Sequence, residues 1–77
     1  MRILLVEDEK ILSKSIKMIL ERAEYEVDTA YDGEEALEYA KTAIYDLMIL
    51  DVMMPKLNGY QVARQLRKEK NGLPILM

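Results

Sequence analysis

The sequence predicts an α/β fold, and three observations carry that prediction. Short apolar runs of strand length recur along the chain, Ile3-Leu4-Leu5-Val6, Leu47-Met48-Ile49-Leu50 and Pro74-Ile75-Leu76-Met77. Unbroken apolar runs of this kind suit strands of a parallel sheet, which are buried on both faces. The segments between them carry apolar residues at helical spacing. The strands begin near residues 2, 26, 46 and 74, giving units of 24, 20 and 28 residues. Units of that size fit strand-helix-strand crossovers, which are right-handed.

Each element has its own local signal. Glu26-Val27-Asp28-Thr29-Ala30 alternates and is rich in β-formers, so it reads as a more peripheral strand. In the first helix Ile11, Leu12, Ile16, Ile19, Leu20 and Ala23 share one face, with Lys10, Lys14, Lys17 and Glu21 away from it. Ala36, Leu37, Ala40 and Ile44 mark a second helix, opened by Asp32-Gly33 and by two acids suited to its positive end. Val62, Ala63 and Leu66 mark a third, opened by Asn58-Gly59 and closed by cations before Asn71-Gly72. The expected architecture is (βα)3β in one domain spanning residues 1–77. Three helices over four strands leave part of the sheet uncovered, so the chain reads as the front portion of a longer domain.

Composition narrows the chemistry. Of 77 residues, 51% are hydrophobic and 32% charged, as in globular proteins. A net charge of -3 argues against direct nucleic-acid binding. There is no cysteine and no histidine, which excludes disulfides, thiolate or imidazole metal ligands and Ser-His or Cys-His nucleophiles. Carboxylates, hydroxyls, amides and Lys/Arg must carry any reaction. The apolar runs are far too short to span a membrane, and no targeting segment is visible. A cytoplasmic location is expected.

Carboxylates sit where an open α/β sheet binds its ligands, beyond the carboxyl ends of the strands. The first strand ends in Glu7-Asp8 and the third in Asp51. If those strands are neighbours, three negative charges converge in one crevice. A hard divalent cation would offset their repulsion, and a carboxylate beside it could attack a phosphoryl group. The alternative is structural: Asp8-Glu9 as a helix cap and Asp51 as a turn residue. Both readings fit the residues taken alone.

Val6-Glu7-Asp8, Leu50-Asp51-Val52-Met53-Met54-Pro55 and Lys56-Leu57-Asn58-Gly59 together closely resemble the receiver domain of two-component response regulators. The acidic pair lies near residue 8, and an Asp-x-x-Met-Pro-x-x-Asn-Gly run follows 43 residues later. The resemblance implies a flavodoxin-like sheet of order 2-1-3-4-5, of which the last helix, strand and helix are lacking here. It implies that Asp51 is the phosphoacceptor, loaded by a sensor histidine kinase. It also implies that Glu7, Asp8, Asp51 and the Met53 carbonyl bind Mg²⁺. Kinase docking is implied near the first helix, where Ile11, Lys14 and Ser15 lie. Such a domain is a signalling acceptor and not a full enzyme.

The family's switch Ser/Thr and its active-site Lys have no counterpart among these residues, and Lys56 is not that Lys. Impaired signalling is therefore expected of the chain. An alternative is a self-associating fold fragment with no independent activity, in which the uncovered sheet drives oligomers. A magnesium phosphohydrolase of the haloacid-dehalogenase type would want a second Asp where Met53 stands. Met48, Met53 and Met54 read as core and loop packing, the scattered tyrosines as rim packing, and Arg64, Arg67, Lys68 and Lys70 as a solvated helix end.

Overall fold

The computed structural model describes residues 1–77. Its elements alternate as expected: β1 (Arg2–Val6), α1 (Lys10–Arg22), β2 (Glu26–Ala30), α2 (Gly33–Thr42), β3 (Leu47–Leu50), α3 (Gly59–Lys68) and β4 (Ile75–Leu76). The strands form one parallel sheet in the order β2-β1-β3-β4. β1 is central and its Ile3, Leu4, Leu5 and Val6 are all buried. Strand side chains alternate between faces. Leu4 and Val6 join Met48, Leu50, Ala36, Val62 and Leu66 in the main core. Ile3 and Leu5 therefore face the opposite side, where α1 packs. No helix is long and apolar enough to cross a membrane.

The helix starts follow the sequence signals. Asp32 caps α2, its Oδ1 accepting from the Glu35 N–H at 2.8 Å. Asn58 and Gln61 form a full capping box at α3. The Gln61 N–H donates to Asn58 Oδ1 at 3.0 Å, and the Asn58 N–H donates to Gln61 Oε1 at 2.8 Å. Two of the four orphan donors of the helix end are thus satisfied reciprocally.

The expected packing face of α1 is only partly used. Ser13 is the buried residue of this helix, and Ile16, Lys17 and Leu20 are half-buried around it. The stripe 13, 16, 17, 20 faces the sheet, while Ile11, Leu12 and Ile19 point away from it, Ile19 being 66% exposed. The small Ser13 sits at the closest point of the helix to the sheet, fully buried, with the apolar residues on either side of its stripe left outward. Leu5, Ile16, Ile49, Leu76 and Met77 then line an open groove beside α1. Ile44 also departs from expectation. It lies past the end of α2 and is 88% exposed, because the helix stops at Thr42.

At the amino ends of the strands a small polar network ties three elements together. The Tyr45 O–H donates to Asp28 Oδ2 at 2.7 Å, and the Arg2 guanidinium donates to the same oxygen at 2.8 Å. Arg2 also lies over the Tyr45 ring, 5.2 Å from its centroid. The Tyr45 hydroxyl and the Arg2 guanidinium hold the Asp28 carboxyl below its ordinary range. Burial, then the bond to Asp28, push the Tyr45 phenol up to about 12.

The ends of α1 and α3 carry backbone strain. Tyr25 N–H donates to Leu20 O and Glu24 N–H to Glu21 O; Asn71 N–H donates to Leu66 O and Lys70 N–H to Arg67 O. This is the Schellman pattern, which places one residue in the left-handed region, usually glycine. Here that residue is Glu24 (φ 72) or Lys70 (φ 59). Arg67 Nη1 adds bonds to the Asn71 and Leu73 carbonyls, so this cation is part of the turn into β4 and not simply solvated.

Replacing Glu24 or Lys70 by Gly is predicted to stabilise the chain by about 0.5–1 kcal/mol each, read from urea midpoints. The Asp28–Tyr45 pair gives a pH signature. Asp28 has a depressed folded pKa, so its contribution is present above about pH 4 and fades as pH falls through the lower folded value. Tyr45 holds its proton more firmly when folded, so its contribution is present below about pH 10 and fades as pH rises toward about 12. Thermal midpoints against pH will show a shallower acid limb in Asp28→Asn and a shallower alkaline limb in Tyr45→Phe.

Candidate metal centre

The strand register builds this site. Val6 pairs with Leu50 across β1 and β3, so Glu7 and Asp51 each follow a paired residue and leave the sheet side by side. The ladder runs on past the strand ends: the Asp51 N–H donates to Val6 O at 3.0 Å, and the Glu7 N–H donates to Ala30 O at 3.1 Å. Asp8 joins from the turn into α1. One carboxylate oxygen from each of Glu7, Asp8 and Asp51 lies within 4.8 Å of the others.

These three charges have no cationic partner. The two ion pairs of the chain, Arg2–Asp28 and Lys41–Glu69, lie elsewhere. Lys10, the nearest lysine in sequence, sits over the Tyr31 ring at 5.3 Å from its centroid. Glu7 is 9% exposed. Its burial pushes the carboxyl up from the ordinary range, and Asp8 and Asp51 push in the same direction.

The capping alternative does not hold for the acidic pair. Glu9 occupies the N-cap of α1 with no side-chain cap bond. Glu7 Oε2 instead accepts from the Glu9 N–H at 3.1 Å, a bond that bridges Asp8. Asp51 is in part a turn residue, since its Oδ1 accepts from the Met53 N–H at 3.2 Å.

The trio fits a hard cation. Magnesium takes oxygen ligands at ~2.0–2.1 Å in an octahedron, so its ligand oxygens lie about 3–4 Å apart. Oxygens within 4.8 Å of one another need only a small contraction to reach that spacing. The expected Met53 is nearby, two residues past Asp51. Its side chain is 81% exposed and so does not pack in the loop, unlike buried Met48 and Met54. Met53 is held at the site by its backbone, through the bond to Asp51.

Gly59 was legible only as part of a motif. Its N–H donates to Val52 O at 3.0 Å, which closes the loop between β3 and α3 onto the residue after Asp51. Lys56, in the same loop, adopts a left-handed backbone with φ 66. No periodicity or charge pattern in the sequence marks that strain.

Comparison with known proteins places this chain in a family. Residues 3–77 match the response regulator receiver domain, and the chain belongs to that family. It is 51% identical over 76 residues to the alkaline phosphatase synthesis transcriptional regulatory protein PhoP of Bacillus subtilis, covering 99% of this chain and 32% of that protein. It is 43% identical over 76 residues to the transcriptional regulatory protein DltR of Streptococcus agalactiae, covering 99% of this chain and 34% of the relative. The chain thus spans about a third of the length of these curated relatives. Among solved structures it resembles the Thermotoga maritima response regulator TrrA in complex with Mg²⁺-BeF, with TM-score 0.90 and 44% identity. That match covers 96% of this chain and 64% of TrrA. It also resembles the structure of the histidine kinase ThkA in complex with TrrA, with TM-score 0.89 and 44% identity, covering 96% of this chain and 64% of the matched chain. The residues correspond to the N-terminal part of a receiver domain with the flavodoxin-like sheet expected from the sequence. These similarities do not favour the alternative of a self-associating fragment.

With divalent cations chelated, Asp8→Asn is predicted to raise the thermal midpoint. It removes repulsion from an exposed charge, worth up to about 1 kcal/mol in water at this range. An unchanged midpoint would mean that the three charges do not repel as their spacing requires.

Proposed function

We propose that this chain is the phosphoacceptor portion of a two-component response regulator and that Asp51 receives the phosphoryl group. The observation that carries the reading is the convergence of Glu7, Asp8 and Asp51 with no Lys or Arg side chain paired to them. Membership of the receiver-domain family supports it, as does the Mg²⁺-BeF complex of the relative TrrA. The ThkA–TrrA complex supports a sensor histidine kinase as the donor.

Asp51 Oδ1 is engaged by the Met53 N–H, which leaves Oδ2 to attack. An Oδ2 lone pair bonds to the phosphorus of a phosphohistidine. The phosphorus–nitrogen bond breaks, its electrons return to the imidazole, and the ring takes up a proton. The product is an acyl phosphate on Asp51. Glu7, Asp8, Asp51 and the Met53 carbonyl would hold Mg²⁺, which neutralises charge on the transferring group. The Glu9 N–H fixes the Glu7 carboxylate, and the Met53 N–H fixes that of Asp51.

Because Asp51 is itself modified in each event, the unit is a signalling acceptor and not an enzyme with an external substrate. We read residues 1–77 as one partial receiver domain acting in the cytoplasm. Metal binding and phosphoryl acceptance are assigned to this segment. The signalling output is assigned to longer proteins of the kind the relatives exemplify.

The test uses phosphoramidate, a small phosphorus–nitrogen donor, with Mg²⁺ and intact-mass detection. The chain should gain a base-labile, hydroxylamine-sensitive phosphoryl group that Asp51→Asn abolishes. Equal incorporation in Asp51→Asn would overturn the assignment.

A further inference from the structure

We infer that Gly59 is a positioning residue for Asp51, acting with the Asn58–Gln61 capping box as a latch between α3 and the end of β3. The inference rests on the proposed role of Asp51 and goes beyond it to what holds that carboxylate in place.

A methyl group at Gly59 would come within 2.6 Å of the Asp51 carbonyl oxygen, 2.8 Å of Val52 Cα and 3.1 Å of the Asp51 carbonyl carbon. Real Cβ atoms essentially never approach closer than 3.0 Å. The obstacles are backbone atoms, so no rotamer change relieves the clash. The φ of Gly59 is not positive, so the glycine is needed for close approach and not for a left-handed backbone.

That approach has a consequence. The first turn of α3 rests on the peptide that carries Asp51, and the Gly59 N–H bonds Val52 O at 3.0 Å. The capping box fixes the same turn from the helix side, with Gln61 bonded to Asn58 in both directions. Asp51, Val52 and Met53 are therefore held between the β1–β3 ladder on one side and the α3 terminus on the other. α2 presses on the same loop. A Cβ at Gly33 would lie 2.8 Å from Val62 Cγ2 and 2.9 Å from Leu57 Cβ. Gly72 provides a contrast, with nothing within 4 Å of an added Cβ.

The experiment measures Mg²⁺ affinity by titration calorimetry, with thermal midpoints taken on the same samples. Gly59→Ala should weaken Mg²⁺ binding about tenfold or more, as loss of outer-shell support does at metal sites. Gly72→Ala should match the parent chain in affinity. Gln61→Ala leaves Asp51's surroundings untouched and only loosens the latch; it should weaken Mg²⁺ binding severalfold while remaining folded. Should Gly59→Ala fail to fold, Gln61→Ala decides the question. Parent-like affinity in folded Gly59→Ala, or in Gln61→Ala when Gly59→Ala is unfolded, would overturn the positioning role. The underlying Asp51 assignment fails by a different result, an Asp51→Asn chain that binds Mg²⁺ as well as the parent does.

Discussion

The register of β1 against β3 governs the rest of the molecule. With Val6 opposite Leu50, Glu7 and Asp51 emerge together at the carboxyl edge of the sheet. A slip of one residue would turn one of them to the other face, because strand side chains alternate. The register is fixed from below by burial of Leu4, Val6, Met48 and Leu50 against α2 and α3. Folding energy from apolar packing thus holds three like charges within 4.8 Å, an arrangement that their mutual repulsion opposes. Concentrating negative charge in this way is unfavourable for the bare protein and favourable for binding a cation.

The two ends of the sheet do different work. At the amino end Arg2, Asp28 and Tyr45 satisfy one another and tie β1, β2 and the approach to β3 together. At the carboxyl end the acids have backbone N–H donors but no opposing charge. Neutralised charge at one end and uncompensated charge at the other is the distribution expected when one end is scaffold and the other binds a ligand. The helix termini follow the same division. The Schellman turns with Glu24 and Lys70 close off the scaffold end, whereas the α3 terminus, fixed by its capping box, packs through Gly59 against the Asp51 peptide.

Much of this was legible in the residues because local chemistry determines it. The strand runs, the Asp32 and Asn58 caps and the clustering of Glu7, Asp8 and Asp51 follow from period, capping preference and placement at strand ends. Other features depend on distances that no period encodes. The α1 stripe was misread because apolar spacing cannot tell a face covered by the sheet from one left open, and the buried position is a serine that no apolar period marks. Met53 looks like packing by composition, yet its side chain is exposed and its backbone N–H bonds the Asp51 carboxylate. Tyr45 read as rim, while burial and the Asp28 bond make it part of a network that reaches from Arg2 to Tyr45. The close approach of Gly59 to the Asp51 carbonyl is a through-space fact.

The most direct measurement is an amide-resolved NMR titration of the chain with Mg²⁺. The account predicts saturable shifts concentrated at Glu7, Asp8, Glu9, Asp51, Val52 and Met53, with Arg2, Asp28 and Tyr45 at the opposite end of the sheet unmoved. Dispersed spectra that stay unchanged in Mg²⁺, or that shift uniformly over all acidic residues, would contradict a metal centre at the carboxyl edge of β1 and β3.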